Sequence, residues 1–210
     1  MRADLIVRVN KLRTGKVGKL VARRMREFRN LGRKGNDAWF SELSFCILTA
    51  NSSAKLGMKI QRELGSRGFL MLPPDELKRR LREAGHRFPN ARTNFIVEAR
   101  KFREVKKTIK SFDDSMQARE WLVKNVKGIG YKEASHFLRN VGFGGLAILD
   151  RHVLSVMREH GLIDKIPKSL TQSRYLEIER KLKGIARRLG LSLGELDLYL
   201  WCMKTGEILK

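Results

Sequence analysis

Three observations predict an all-α fold for this chain. Apolar residues recur at helical spacing along nearly its whole length. Glycines stand just past the ends of several of those runs. No alternating stretch is long enough to anchor a sheet, and no internal repeat is found. From Asn36, Asp37-Ala38-Trp39-Phe40 through Ile47-Leu48 offers cap chemistry followed by apolar residues at helical spacing, which predicts a helix. Further helices are expected over Lys55–Leu64, Pro74–Glu83, Thr93–Phe102, Ser115–Asn125, Lys132–Asn140, Arg151–Glu159, Ser173–Leu189 and Leu193–Lys204. Gly65, Gly85, Gly142, Gly161 and Gly190 follow such runs and can close them in the left-handed conformation. Two basic stretches, Lys11–Lys19 and Arg100–Lys110, read as linkers or solvated faces.

Charge narrows the partner. The chain has 210 residues, 45 Lys plus Arg against 22 Asp plus Glu, and a formal net charge of +23. Charge of that size favours encounter with polyanions. At 42% hydrophobic the chain is too apolar for a disordered basic tail, and its basic residues are spread along it. A folded body that binds nucleic acid is expected. Cys46 and Cys202 are the only cysteines, both in apolar helical patterns, so two buried thiols are expected. A zinc finger or iron–sulfur cluster needs about four clustered ligands. No run approaches the ~20 apolar residues of a membrane span. Arg8, Lys11 and Arg13 interrupt any signal-peptide core, which makes a cytoplasmic location the expectation.

The most telling stretch is Val126-Lys127-Gly128-Ile129-Gly130-Tyr131-Lys132, between two expected helices. A turn on Gly128 and Gly130 at a helix N-terminus presents backbone N–H groups that can hold a phosphate. No strand precedes it, which disfavours a dinucleotide-binding fingerprint. In the helix that follows, Ala134, Phe137, Leu138 and Val141 form an apolar stripe, while Lys132 falls on the other side near His136 and Arg139. That second face reads plainly as an exposed basic surface. The functional alternative is that Lys132 is a nucleophile, because a helix N-terminus in a positive field disfavours its ammonium. Asp150, eighteen residues further on, opens the helix Arg151–Glu159 as its N-cap. The same carboxylate can face a cleft and stabilise positive charge on a sugar ring. His152 reads as a structural or phosphate-contacting residue.

Val126–Lys132 together with Asp150 resembles the helix-hairpin-helix–GPD superfamily of DNA glycosylases. The details are similar to the short, archaeal-type 8-oxoguanine DNA glycosylase/AP lyases, from about Asn36 to Lys210. The resemblance implies Lys132 as nucleophile and Asp150 as its catalytic carboxylate. It sets the hairpin groups of Gly128 and Gly130, with His152, against the backbone beside a lesion. The carbonyls of Lys124, Val126 and Ile129 match positions that hold a monovalent cation, either sodium or potassium, and no other cofactor is implied. The cluster cysteines of the endonuclease III branch are missing here. An enzyme of this kind works on a base turned out of the stack. Asn51 matches the amide that plugs the gap, Phe88 the wedge between bases, and His86 and Arg87 the groups that reach the orphaned partner. Trp201 matches an aromatic that stacks on the damaged base, with Asp197, His136 and Lys210 around it. The plain alternatives are a helix C-cap for Asn51, core anchors for Phe88 and Trp201, and a frayed end for Lys210.

The sequence therefore predicts two helical lobes with the active site in the cleft between them. One spans about 36–141 and ends in the hairpin; the other joins 1–35 to 142–210, with Gly142-Phe143-Gly144-Gly145 as the crossing. By resemblance the chain is a monomer that binds double-stranded DNA containing an oxidised base, in the nucleoid and not at a membrane. It would expel 8-oxoguanine and then cut the strand. The same scaffold acting on another oxidised base, a non-catalytic helix-hairpin-helix DNA-binding module and an RNA-associated basic protein are the alternatives.

Overall fold

A computed structural model describes residues 2–210, and every regular element among the described residues is helical. In chain order they are α1 (Arg2–Arg13), α2 (Lys16–Arg33), α3 (Asn36–Thr49), α4 (Ala54–Met71), α5 (Pro74–Glu83) and α6 (Pro89–Ala99). After a 3₁₀ turn at Arg100–Phe102 come α7 (Val105–Lys110), α8 (Ser115–Asn125), α9 (Tyr131–Asn140), α10 (Arg151–Glu159), α11 (Gln172–Leu189) and α12 (Leu193–Thr205).

The buried apolar side chains gather in two clusters. One draws on α3 to α9, from Trp39 and Phe40 to Val141 and Leu146. The other is built from both ends of the chain: Leu5, Val9, Val21, Met25 and Phe28 of α1 and α2 pack with Ala147 through Leu200. Each cluster has a helix near its middle. In α3 every residue from Trp39 to Thr49 is buried, and α4, α6, α7 and α9 pack around it. A helix covered on all sides shows no polar stripe. In α12, Leu193, Leu196, Leu198, Tyr199 and Leu200 are buried, with α1, α2, α10 and α11 around them.

The clusters are stitched together. Arg119 of α8, fully buried, makes a two-pronged pair with Glu179 of α11 at 2.8 and 2.9 Å, and its guanidinium lies against the rings of both Tyr131 and Tyr175. The crossing segment joins the same knot: the Ala147 N–H donates to Glu179 at 2.8 Å, and the Tyr175 hydroxyl donates to the Ala147 carbonyl at 2.7 Å. Every charge in this knot has a partner, the condition under which buried charges are tolerated.

Several expectations need correcting. Asn36 begins α3 but does not cap it; its side chain accepts from the Lys106 N–H at 3.1 Å and so fixes the start of α7. The run ending at Leu64 resumes after a kink at Gly65 and continues to Met71, because φ +60° with ψ −175° redirects the chain where no Cβ intervenes. The helix expected from Thr93 begins four residues earlier, since Pro89 presets φ at its first turn. Neither basic stretch is a linker. Lys11–Lys19 is the end of α1, a two-residue turn and the start of α2, and in Arg100–Lys110 the Lys106 amine donates to the Arg33 carbonyl at 3.1 Å and also to Lys34, satisfying the end of α2. Cys46 and Cys202 are buried and unpaired, as expected.

Candidate active site

The hairpin runs from the end of α8 to the start of α9. Gly128 sits at φ +81°, and a Cβ there would lie 2.5 Å from the Phe95 ring, so backbone conformation and space both require glycine. Ile129 turns its N–H back to the Val126 carbonyl at 3.2 Å. Gly130 is the N-cap of α9, and its N–H donates to Glu133 Oε2 at 3.2 Å in a capping-box arrangement. The hairpin therefore does not leave all its N–H groups open, as the sequence implied. One is turned inward, and Glu133 covers another.

A cavity of about 730 Å³ opens beside this hairpin. Its wall includes Lys132, His136 and Arg139 of α9, Asp150 and His152 from the start of α10, and Asp197 and Trp201 of α12. Asn51, Arg87 and Lys210 also line it. Both members of the lysine–aspartate pair singled out in the sequence are thus on one wall. A second hollow of about 870 Å³ beside α8 and α11 is lined by Met116, Leu146, Leu176 and Leu193 among others, and contains neither motif.

Asp150 is held at both oxygens. Oδ1 accepts the Val153 N–H at 2.8 Å as the N-cap of α10, and Oδ2 accepts from the Trp201 indole at 3.1 Å. Capping and cleft-facing roles coexist, and the tryptophan ring is oriented by the same carboxylate. The His152 ring meets Trp201 edge-on at 5.7 Å. Lys132, 27% exposed at its side chain, contacts Glu133 Oε1 at 2.8 Å.

The second face of α9 is buried, where an exposed basic surface was the plain expectation. Arg139 pairs with Asp197 and also donates to the Asn140 side chain at 2.9 and 3.0 Å. Asn140 donates to Glu42 at 2.6 Å, and Glu42 accepts from Lys210 at 2.7 Å and from Gln61 at 3.0 Å. This chain of polar contacts carries Lys210 into the interior, its amine 4.3 Å from the centre of the Phe45 ring. Burial pushes the Asp197 carboxyl up to about 7, and the Arg139 guanidinium pulls the other way. Burial also holds the His136 imidazole well below its ordinary value, helped by Arg139, Lys132 and Lys210. Its Nε2 has no hydrogen-bond partner among the described residues.

The two loops facing the cavity are tied at their bases. Asn51 is exposed at φ +56°, a left-handed position that asparagine tolerates better than most residues. Phe88 is half-buried, with Arg87 stacked over its ring at 5.0 Å. His86, which the resemblance expects to reach the orphaned partner base, does not stand free on the loop. It is buried, with Nε2 against the Leu48 carbonyl at 3.0 Å and Nδ1 accepting the Phe88 N–H at 3.1 Å. Its ring thereby joins the Phe88 loop to the end of α3. Arg92 adds a second tie, reaching the Ala50 carbonyl while flanking the Phe88 and Phe95 rings.

Sequence reasoning missed Glu133, Glu42, Arg92 and Asn140. Gly130-x-x-Glu133 carries a readable signal, the spacing of a capping box. A single glutamate inside the apolar run Trp39–Leu48 is another, since a lone charge there needs a buried partner. For Arg92 and Asn140 nothing local distinguishes them from surface residues.

No helix of the described residues is long and apolar enough to cross a membrane. The same residues contain no group of three or more His, Cys, Asp or Glu able to hold a metal ion. The profile described as 8-oxoguanine DNA glycosylase matches residues 21–191. An 8-oxoguanine DNA glycosylase/AP lyase of Methanocaldococcus jannaschii is 48% identical, over 98% of this chain and 99% of that protein. One from Korarchaeum cryptofilum is 50% identical, over 99% of this chain and 98% of its own length. Among solved structures, the M. jannaschii enzyme in complex with a 15mer DNA containing 8-oxoguanine superposes with a TM-score of 0.96, at 48% identity and over 98% and 99% of the two chains. A trapped endonuclease III–DNA intermediate shares the fold alone, at 15% identity and a TM-score of 0.58. By the span of the matching profile and by full-length identity to these relatives, this chain belongs to the 8-oxoguanine DNA glycosylase family.

Proposed function

We propose that this protein is a base-excision repair enzyme, a DNA glycosylase and AP lyase that removes 8-oxoguanine from duplex DNA. The observation that carries the reading is the shared cavity of about 730 Å³, with Lys132 and Asp150 on its wall beside a glycine hairpin. A target base must leave the stack to reach such a site, and its loss leaves a hole. Asn51 fills that hole, while Phe88 and Arg87 enter from the second loop; His86 supports that loop from below. Gly128, Gly130 and His152 hold the backbone next to the lesion. The extruded base stacks on Trp201, with His136, Asp197 and Lys210 around its edge.

Lys132 attacks the anomeric carbon and the base departs. Asp150, fixed at both oxygens, offsets the positive charge that builds on the sugar. The Schiff base that forms allows β-elimination, which cuts the strand on the 3′ side. 8-Oxoguanine carries an N–H where guanine has a lone pair, so a buried acceptor facing that position rejects guanine by leaving a polar group unpaired.

We further assign 36–141 to one lobe and 1–35 with 142–210 to the other, a division supported by the two core clusters. The enzyme acts as a monomer on DNA in the nucleoid. Backbone carbonyls are hard, neutral donors that suit a monovalent cation. Those of Lys124, Val126 and Ile129 would hold one between hairpin and phosphate, although the Val126 carbonyl already accepts the Ile129 N–H. A cation held there would supply positive charge against a phosphate.

Borohydride trapping on a duplex with one 8-oxoguanine tests the function. Wild type should form a covalent adduct and Lys132→Gln none. Trapping on an abasic-site duplex but not on 8-oxoguanine would keep the lyase and remove that substrate. No adduct on either duplex would leave a DNA-binding module.

A further inference from the structure

A lysine that attacks carbon must first lose a proton, and the carboxylate that the sequence pairs with it does not touch it. Asp150 is engaged by the Val153 N–H and the Trp201 indole. Among the described residues no ion pair within 4 Å joins Lys132 to Asp150. The carboxylate in contact with the amine is Glu133, at 2.8 Å. Its side chain is 12% exposed, and its other oxygen is tethered to the Gly130 N–H. That tether fixes one end of the carboxylate and leaves Oε1 turned to the lysine.

We propose that Glu133 is the catalytic base that accepts the proton of the Lys132 ammonium. This deepens the reading of Lys132 as nucleophile and rests on it. In the step, one Nζ–H bond breaks and its electron pair stays on nitrogen, while the proton forms an O–H bond at Glu133 Oε1. The lone pair then forms the bond to the anomeric carbon. The glycosidic bond breaks with its electrons leaving on the base, which takes up the proton and regenerates the carboxylate. On an abasic site the same proton leaves with the hydroxyl as water when the imine forms. Positioned acid–base groups contribute about 10²–10⁴-fold in rate. The titratable and charged groups facing Glu133 include Lys132 on its own helix and Arg92 from α6. Those facing Lys132 include His136 of α9, Cys46 of α3 and Asp197 of α12.

Capping and base roles separate cleanly in one substitution, because glutamine at the third helical position still completes a capping box. Glu133→Gln therefore keeps the Gly130 contact and removes only the proton acceptor. The measurement is single-turnover rate from pH 6 to 10 on 8-oxoguanine and abasic-site duplexes, beside duplex affinity and melting temperature. Glu133→Gln should bind and melt like wild type, yet react about 100-fold more slowly at pH 7. The gap should close as pH rises and solvent takes over deprotonation. Glu133→Asp, which keeps a carboxylate at shorter reach, should retain the wild-type pH dependence whatever its absolute rate, and serves if the glutamine variant fails to fold. A Glu133→Gln rate equal to or above wild type, or a deficit constant across pH, overturns the proposal. If wild type reacts with the abasic duplex alone, the substrate reading fails and Glu133 is judged on that duplex. If wild type traps on neither duplex, the nucleophile reading falls and Glu133 with it.

Discussion

Asp150 combines a helix cap and a site carboxylate in one side chain, and asparagine divides those jobs. Asp150→Asn should keep the Val153 contact, lose about 1 kcal/mol because an amide N–H₂ would face the Trp201 indole N–H, and cut the single-turnover rate at least ~100-fold. Chemical denaturation beside borohydride trapping checks both halves; an unimpaired rate would remove Asp150 from the chemistry. His136 makes a pH-dependent contribution. Its folded-state pKa is depressed by burial, so the stability it supplies is present above about 6.5 and lost as pH falls toward the folded value. Asp197, raised to about 7, works in the opposite direction between about pH 4 and 7. Comparing wild type with His136→Gln isolates the histidine: their difference in unfolding free energy should shrink by up to about 1.4 kcal/mol per pH unit from 6.5 downward. A difference that stays constant from pH 7 to 5 would rule this out. Lys132 and Asp150 were legible because hairpin, amine and capping carboxylate stand at a recognisable spacing. Glu133 was legible only as a capping-box residue, and its contact with Lys132 was not, since a glutamate in a first helical turn looks like ordinary dipole complementation. The inward role of His86 was not legible, because a histidine on a glycine–proline loop carries no local sign that both its ring nitrogens are used inside.

Helices with a mixed periodic face were the easiest to read. The bounds of α5, α8 and α10 follow directly from capping residues, a proline start and apolar spacing. Ends set by distant contacts were not readable: α7 depends on Asn36, seventy residues earlier, and α4 continues beyond a kink that resembles a stop. Buried all round, α3 leaves little room for a cavity. Leu43→Ala there should cost about 2–5 kcal/mol in urea denaturation without changing the adduct formed by the folded fraction. The hairpin between α8 and α9 is equally constrained, but by conformation. Gly128→Ala should cost more than about 1 kcal/mol and weaken duplex binding, because φ +81° and the Phe95 ring both oppose a Cβ. An alanine variant that melts and binds like wild type would mean that the hairpin can relax.

At the scale of the whole molecule, charge makes the firmest statement. A net charge of +23 on a folded body, with Lys16, Lys19, Arg26 and Arg29 exposed along α2 and Lys183, Arg187 and Arg188 along α11, implies that DNA binding is driven largely by counterion release. With about 6–10 phosphates neutralised, affinity should fall roughly 10³–10⁵-fold between 50 and 200 mM salt, read by fluorescence anisotropy on an undamaged duplex. A slope of log affinity against log salt shallower than about −3 would place most of this charge away from the interface. The sequence revealed the chain's all-α class. It could not reveal the polar chain from Lys210 through Glu42 and Asn140 to Arg139, because such contacts join residues up to 168 positions apart. The entwined cores also bear on how the protein is made. Leu5, Val9, Val21, Met25 and Phe28 leave the ribosome well before their partners, which lie in the last third of this sequence, from Ala147 to Leu200. Until those residues are synthesised, the first two helices present a bare apolar flank, so a nascent chain of this protein offers a chaperone a ready handhold that the finished enzyme conceals.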